Sequence, residues 1–282
     1  MPNLIADPLV ENVVSPDIAS APVRIEATPE GVATVTIDRA HRRNAFDAPT
    51  IAALAEAFET LHGAEGVRIV FLCGEGGSFS AGADLDWMRQ AADWTEADNR
   101  HDAMGLARML KALSDIPALT VALVEGSAFG GGAGLVAACD LAIAVEGAKF
   151  AFSEVKLGLT PATISPYVVN AIGPRTAKGL FATGRVFDAA YAQAIGLVQE
   201  VVADADALAV AKARLADEIM ACAPGAVAAV KRLVWDVWDK PIDQFLMEET
   251  AARIAKARVS EEGREGVAAF LAKREPSWAN KP

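Results

Sequence analysis

An α/β fold is predicted by two features of the chain. Between residues 30 and 160, a short apolar strand, a glycine-rich turn and a helical segment follow one another several times. That alternation suits short ββα-like units better than an all-α or all-β fold. After about residue 185 the pattern becomes Ala-rich and helical, so helices are expected to cover a finished sheet domain or pack on a neighbouring subunit. The 282 residues are enough to bury a full core.

The elements follow in order. Residues 1–21, with Pro2, Pro8 and Pro16, lack sustained periodicity and are expected to form a flexible extension. A core is expected over 22–200 and a helical region over 201–282, with the transition near 195–205. Ala33, Val35 and Ile37 alternate with Thr34, Thr36 and Asp38, the period of a half-buried strand. Pro49-Thr50 opens a helix whose apolar face is Ile51, Leu54, Phe58 and Leu61. Arg68–Cys73, Leu119–Val124 and Leu141–Val145 read as buried strands, and Met104–Leu113 as a helix. In the last third, helices are expected over Ala205–Met220, Gly225–Trp238 and Glu248–Lys256.

Composition excludes several function classes. The formal net charge is -11, with no basic stripe, so nucleic acid is not an expected partner and any anionic ligand must find local cations. No apolar run approaches the ~20 residues of a membrane helix. The first residues carry no basic n-region, and the first cation after the amino terminus is Arg24, so neither a signal peptide nor a transit peptide is expected. The expectation is a cytoplasmic protein. Cys73, Cys139 and Cys222 are odd in number and set in apolar runs, which suggests buried thiols in a reducing compartment. His41, His62 and His101 have no partner at metal-ligand spacing, so no metal site is expected.

Three segments carry the chemistry. Phe79-Ser80-Ala81-Gly82-Ala83-Asp84-Leu85 and Gly126–Gly134 each follow a buried strand, where small residues let backbone N–H groups approach a ligand. Two such groups facing one point would form an oxyanion hole. The blander alternative is a pair of tight turns whose glycines serve close packing. Neither segment is a P-loop or a dinucleotide fingerprint. The third, Phe152–Pro161, sets Glu154 among apolar residues. Glu154 is either a salt-bridged structural carboxylate or a group tuned by burial for acid–base work.

VTIDRAHRRNAFD (35–47), FSAGADL (79–85), GSAFGGGAGLVAACDLAIA (126–144), FSEVKLGLTP (152–161) and EGVAAFLAKREPSW (265–278) occur in this order. Together they resemble the enoyl-CoA hydratase/isomerase, or crotonase, superfamily over roughly residues 24–279. The resemblance implies a crotonase-like spiral of ββα units with a C-terminal helical trimerisation region. It also implies a homotrimer or dimer of trimers, acyl-CoA substrates, no cofactor beyond the coenzyme A of the substrate, and an enolate held by two backbone N–H groups. Carried over by position, those donors are Ala83 and Gly131, with Glu154 as the acid–base residue. Carbonyls of the Ser80–Ala83 turn, those of Ser80 and Ala81 among them, would meet the adenine amino group. Asn44 and Ala45 would line the CoA path through shape and backbone. Phe270 and Lys273 would reach the adenine and phosphates, in some trimers from a neighbouring subunit. Trp87, Met88, Phe129, Ile164 and Tyr167 would line the acyl pocket.

One departure bears on the reaction. Family hydratases usually carry a first Glu two residues after the GGG, where this chain has Gly134. Two carboxylates divide water activation from α-carbon protonation, whereas one can move a double bond. The expectation is therefore hydration of a 2-enoyl-CoA, with Δ3,Δ2-enoyl-CoA isomerisation by Glu154 alone as the alternative. RNA-binding or non-catalytic relatives form a different class, and the net charge disfavours the RNA-binding reading. SEVKLGLTPATISPYVVNAIG, FSAGADLDWM and FGGGAGLVAACD resemble bacterial methylglutaconyl-CoA or geranyl-type branched-acyl hydratases, which implies leucine or isoprenoid breakdown. A second acid could come from Asp102, whose alternative role is to complement a helix dipole. Lys156 is the motif-adjacent cation for a distal substrate carboxylate, and Asp140 reads as structural.

Overall fold

The computed structural model describes residues 21–279, so all but Ala21 of the expected extension lies outside the described residues. The strands are β1 (Val23–Ala27), β2 (Val32–Ile37), β3 (Ile69–Gly74), β4 (Leu119–Val124), β5 (Ser127–Phe129), β6 (Leu141–Val145), β7 (Lys149–Ala151), β8 (Val186–Asp188) and β9 (Glu200–Val202). The helices of the first two thirds are α1 (Ala48–Gly63), α2 (Leu85–Ala91), α3 (Glu96–Asp115), α4 (Gly131–Ala138), α5 (Ser165–Thr183) and α6 (Ala189–Ala194). The C-terminal helices are α7 (Ala205–Met220), α8 (Pro224–Val237), α9 (Gln244–Val259) and α10 (Glu261–Leu271).

The large sheet runs β1-β2-β3-β4-β6-β9 and the small one β5-β7-β8. From β2 onward the large sheet is parallel, and Ile69, Val70, Phe71 and Leu72 of β3 are fully buried. That is the signature of a sheet covered on both faces. Each turn of the chain contributes a strand to the large sheet, a short extended piece to a second layer, and a helix. β4 is followed by β5 and α4, and β6 by β7 and α5. After β2 the second-layer piece shrinks to Phe46, bridged to Ala83, and after β3 to Ser80, bridged to Ala128. The chain is thus a spiral of ββα turns, and the ends of its second-layer pieces meet in one cleft.

Local chemistry sets the boundaries. Asp47 caps α1 by accepting from Thr50 N at 2.9 Å, and Pro49 sits in the first turn where its missing N–H costs nothing. α3 begins at Glu96, eight residues before the expected Met104. Thr95 and Asp98 form a reciprocal capping box there. β3 starts one residue after Arg68, whose guanidinium turns out to the carbonyls of Ile219 (3.3 Å) and Trp278 (3.3 Å). That contact anchors the C-terminal region to the sheet. Lys231 does the same from α8, donating to Ile116 O (2.6 Å) and Ala118 O (2.8 Å) and pairing with Asp140 (2.6 Å). The Asp140 side chain also accepts from Thr120, consistent with a structural role.

The helix over 205–220 falls as expected. α8 starts at Pro224, α9 extends the expected 248–256 to Gln244–Val259, and α10 was not anticipated. Cys73 and Cys139 are half-buried, whereas Cys222 is exposed, contrary to expectation. Its helix ends at Met220 and leaves it in a surface turn. Among the described residues, no helix is long and apolar enough to cross a membrane.

Candidate active site

Three chain segments converge. Phe46 N donates to Gly82 O and Asp84 N to Phe46 O, both at 2.7 Å. This short parallel pairing uses the Gly82 carbonyl and the Asp84 N–H and leaves the Ala83 N–H out of the bridge. Ser80 N donates to Ser127 O (2.8 Å), and Phe129 N to Ser80 O (3.0 Å). Gly82, at φ +88°, lies so close to β5 that a Cβ would sit 2.8 Å from Phe129 O. Only glycine permits that approach. Gly132 is equally confined, with Ser80 Cβ 2.8 Å from where its own Cβ would be. The turn at Ala83 and the start of α4 are therefore in van der Waals contact.

Gly130, at φ +50°, bends the chain from β5 into α4, and its N–H donates to Ala151 O at 2.9 Å. Gly131 is then the first residue of α4, where the N–H has no intrahelical acceptor. Among the described residues, neither Ala83 N nor Gly131 N donates a hydrogen bond. A Cβ on Gly131 would meet the Phe46 ring at 3.0 Å, which ties this amide to the segment bridged to Ala83.

Glu154 begins a 3₁₀ turn over Glu154–Leu157, three residues beyond the Ala151 carbonyl that holds Gly130. Its Oε1 stands 3.2 Å from where a Cβ on Gly130 would lie, which brings the carboxyl to the mouth of α4. Oε2 is buried without a hydrogen-bond partner. Burial pushes the Glu154 carboxyl above its ordinary range. The native state therefore binds a proton that the unfolded chain releases as pH rises past the usual Glu value of 4.5. Stability is expected to fall with rising pH between that value and the raised one, and Glu154→Gln to flatten the fall. Thermal melts of both proteins across that window check this, and parallel curves would refute it.

Gly134, where the family pattern has an acid, is walled off. A Cβ there would lie 2.3 Å from Ile164 Cγ2 and 2.8 Å from Ile164 Cβ. Ile164 itself is buried. The space of a second carboxylate is filled by a hydrocarbon side chain from the start of α5.

The remaining predicted residues divide. Asn44, fully buried at φ +55°, spends its side chain on structure. Its Oδ1 accepts from Arg39 N (2.9 Å), and its Nδ2 donates to Glu75 O (2.9 Å) and Ser78 O (2.6 Å). Ala45 is buried and its carbonyl accepts from Arg39. Ser80 Oγ donates to Asn44 O at 2.8 Å. The Ser80 and Gly82 carbonyls already accept, which leaves the carbonyls of Ala81 and Ala83 in that turn for a ligand. Trp87, Met88 and Phe129 are half-buried around the cleft side of α2 and β5. Tyr167 is half-buried, and burial, with the charge of Asp115, raises its hydroxyl pKa. Lys156 is exposed with its stem against Gly184 and is not directed into the cleft. Phe270 and Lys273 are exposed at the end of α10 and just beyond it. Asp102 is not at a helix N-terminus; Glu96 and Asp98 occupy that place in α3.

Sequence reasoning missed Ile164 as the residue occupying the second acid's space, since nothing local to residue 134 signals a contact 30 residues away.

Comparison with known proteins agrees with this architecture. The enoyl-CoA hydratase/isomerase family profile matches residues 27–281. A putative enoyl-CoA hydratase of Thermus thermophilus is 37% identical over 250 residues, 88% of this chain and 97% of that protein. A crystal structure of a putative enoyl-CoA hydratase/isomerase (crotonase) from Legionella pneumophila superposes with a TM-score of 0.88 at 45% identity, covering 92% of this chain and all of that one. Pseudomonas aeruginosa AtuE superposes at 0.87 with 35% identity, covering 92% and 100%. With a crotonase fold, a C-terminal helical region and the family profile spanning nearly all its described residues, the chain belongs to the enoyl-CoA hydratase/isomerase family.

Proposed function

We propose that the protein adds water across the double bond of a 2-enoyl-CoA thioester. The observation that carries this reading is the convergence of two unpartnered amides, Ala83 N and Gly131 N, with the buried carboxyl of Glu154. The thioester carbonyl accepts from both amides, whose fixed dipoles favour the charge that develops on oxygen as water attacks C3. The C2 carbon of the enolate then takes a proton from the Glu154 carboxyl, which burial keeps protonated to higher pH than usual. No cofactor is required beyond the coenzyme A of the substrate. The Ala81 carbonyl is the adenine acceptor in this reading, and Phe270 and Lys273 serve the CoA of a neighbouring subunit.

A branched, methylglutaconyl-like acyl group is the finer reading, supported by the three motif stretches around residues 79–88, 129–140 and 153–173. Exposed Lys156 supplies no cation for a distal carboxylate, so a simple branched acyl group fits better than a dicarboxylic one. Δ3,Δ2-Isomerisation is the second reading, favoured by the hydrocarbon wall at Gly134, because one carboxylate can carry a proton between two carbons. Incubation with 2-enoyl- and 3-enoyl-CoA esters followed by mass measurement separates the two. Gain of one water supports hydration; double-bond movement at constant mass supports isomerisation and overturns the first reading if no water is gained.

The assembly we propose is a trimer, alone or doubled. α8 has no buried residue, and Trp235, Trp238, Phe245 and Phe270 on the C-terminal helices are between 53% and 82% exposed. Large exposed apolar patches mark association surfaces. Sedimentation is expected to give three or six chains at micromolar concentration, and a stable monomer would refute this.

A further inference from the structure

We infer that Asp102 of α3 is the second carboxylate of the cleft, holding the attacking water and taking its proton. This rests on the hydration reading above and replaces the acid that Gly134 lacks.

The placement comes from three contacts. α1 and α3 run side by side in the same direction. Ile51 Cγ2 lies 3.8 Å from where a Cβ on Gly105 would be, and His62 Nδ1 lies 3.0 Å from Asp115 O. Extending that register one turn back brings Asp102 level with Ala48, two residues after Phe46. Phe46 is the residue bridged to Ala83, with its ring against Gly131. Asp102 also shares a helix face with Leu106, Met109 and Leu113, at spacings of four, seven and eleven. That is the face α3 turns inward, and α3 packs on both α1 and α4. The carboxylate therefore extends the buried stripe toward the cleft, whereas its sequence neighbours Arg100 and His101 are exposed.

A second feature marks the same spot. Among the described residues, two buried side-chain polar atoms lack a hydrogen-bond partner: Glu154 Oε2 and Trp87 Nε1. Burial on balance raises the Asp102 carboxyl, and the Trp87 indole beside it partly offsets this without a well-formed hydrogen bond. A buried donor without a partner is costly and marks a place where a water or ligand belongs. The other carboxylates near the cleft are engaged. Asp84 caps α2 and meets Arg39, Asp47 caps α1 and pairs with Arg39, and Asp86 pairs with Arg42.

The chemistry balances. A water O–H bond breaks, its oxygen bonds to C3 and its proton goes to the Asp102 carboxylate. The electron pair of the double bond moves into the thioester as an enolate, and C2 takes the proton of Glu154. Proton transfer from Asp102 back to Glu154 through solvent resets the site. Burial raises both carboxyls, and at Asp102 the Trp87 indole and His101 partly oppose it.

The test is Asp102→Asn, with Asp102→Glu and Trp87→Phe alongside, assayed on 2-enoyl-CoA hydration and on double-bond movement in a 3-enoyl-CoA. Hydration by Asp102→Asn is expected to fall about 10²-fold or more. Movement of the double bond, which needs Glu154 alone, should stay within a few-fold of wild type, and Asp102→Glu should recover part of the hydration. Unchanged hydration in Asp102→Asn, or equal loss of both activities, would overturn the role of Asp102. A wild-type protein that hydrates none of the esters would overturn the hydration reading itself, and this inference with it.

Discussion

Glu154→Gln is expected to lower kcat on the best substrate by about 10²–10⁴-fold while CoA-ester binding persists. Glutamine keeps the shape and one polar face of the side chain but removes the proton that C2 must receive. The Ala83 and Gly131 amides are backbone groups that the substitution does not touch. Enolate stabilisation by the two amides is therefore retained after turnover is lost. The substitution also removes a charge that burial penalises. Loss of activity should thus be accompanied by unchanged or improved stability at neutral pH, which separates a chemical defect from unfolding. Near-full turnover in Glu154→Gln would reduce Glu154 to a structural carboxylate.

What could be read from the sequence follows physical range. Strands β4 and β6 and helix α7 fall at the expected residues because each is written in a local run: apolar and β-branched in the first two, amphipathic in the third. The early start of α3 was hidden because Glu96–His101 carries no apolar stripe, although Thr95 and Asp98 held the capping signal. The glycines at 82, 130 and 131 drew attention as possible ligand contacts. The structure adds why they must be glycine: backbone from another spiral turn, or the Phe46 ring, crowds two of them, and a positive φ holds two. Asn44 illustrates the opposite limit. A polar residue in a family motif invites a ligand role, yet the side-chain hydrogen bonds of Asn44 fasten its own loop to the turn at residues 75–78. Such long-range engagement leaves no trace in local composition. The same holds for Lys231, whose clamp on the segment entering β4 joins residues more than a hundred positions apart.

Gly134→Glu, the substitution that would restore the family's first acid, is expected to destabilise the protein strongly instead of activating it. Even the Cβ would fall 2.3 Å from Ile164 Cγ2, well inside contact distance. Ile164 is buried at the entry to α5, with Pro166 in the first turn, so it has little room to retreat. Overpacking of this kind costs about 1–3 kcal/mol for the first added carbon. A Glu also brings a carboxylate that must be buried or protonated. Gly134→Ala isolates the steric part, and its midpoint should drop by several degrees. Ile164→Ala alone should cost about 2–5 kcal/mol through the cavity it leaves. The two changes share one space, so their costs should not add: Gly134→Glu with Ile164→Ala is expected to be more stable than the sum of the single losses, by about 0.5–3 kcal/mol. In that double variant a carboxylate gains the place two residues after the GGG, and hydration should rise relative to double-bond movement. Strictly additive losses, measured by denaturant unfolding, would mean that Ile164 does not occupy the space of the missing acid.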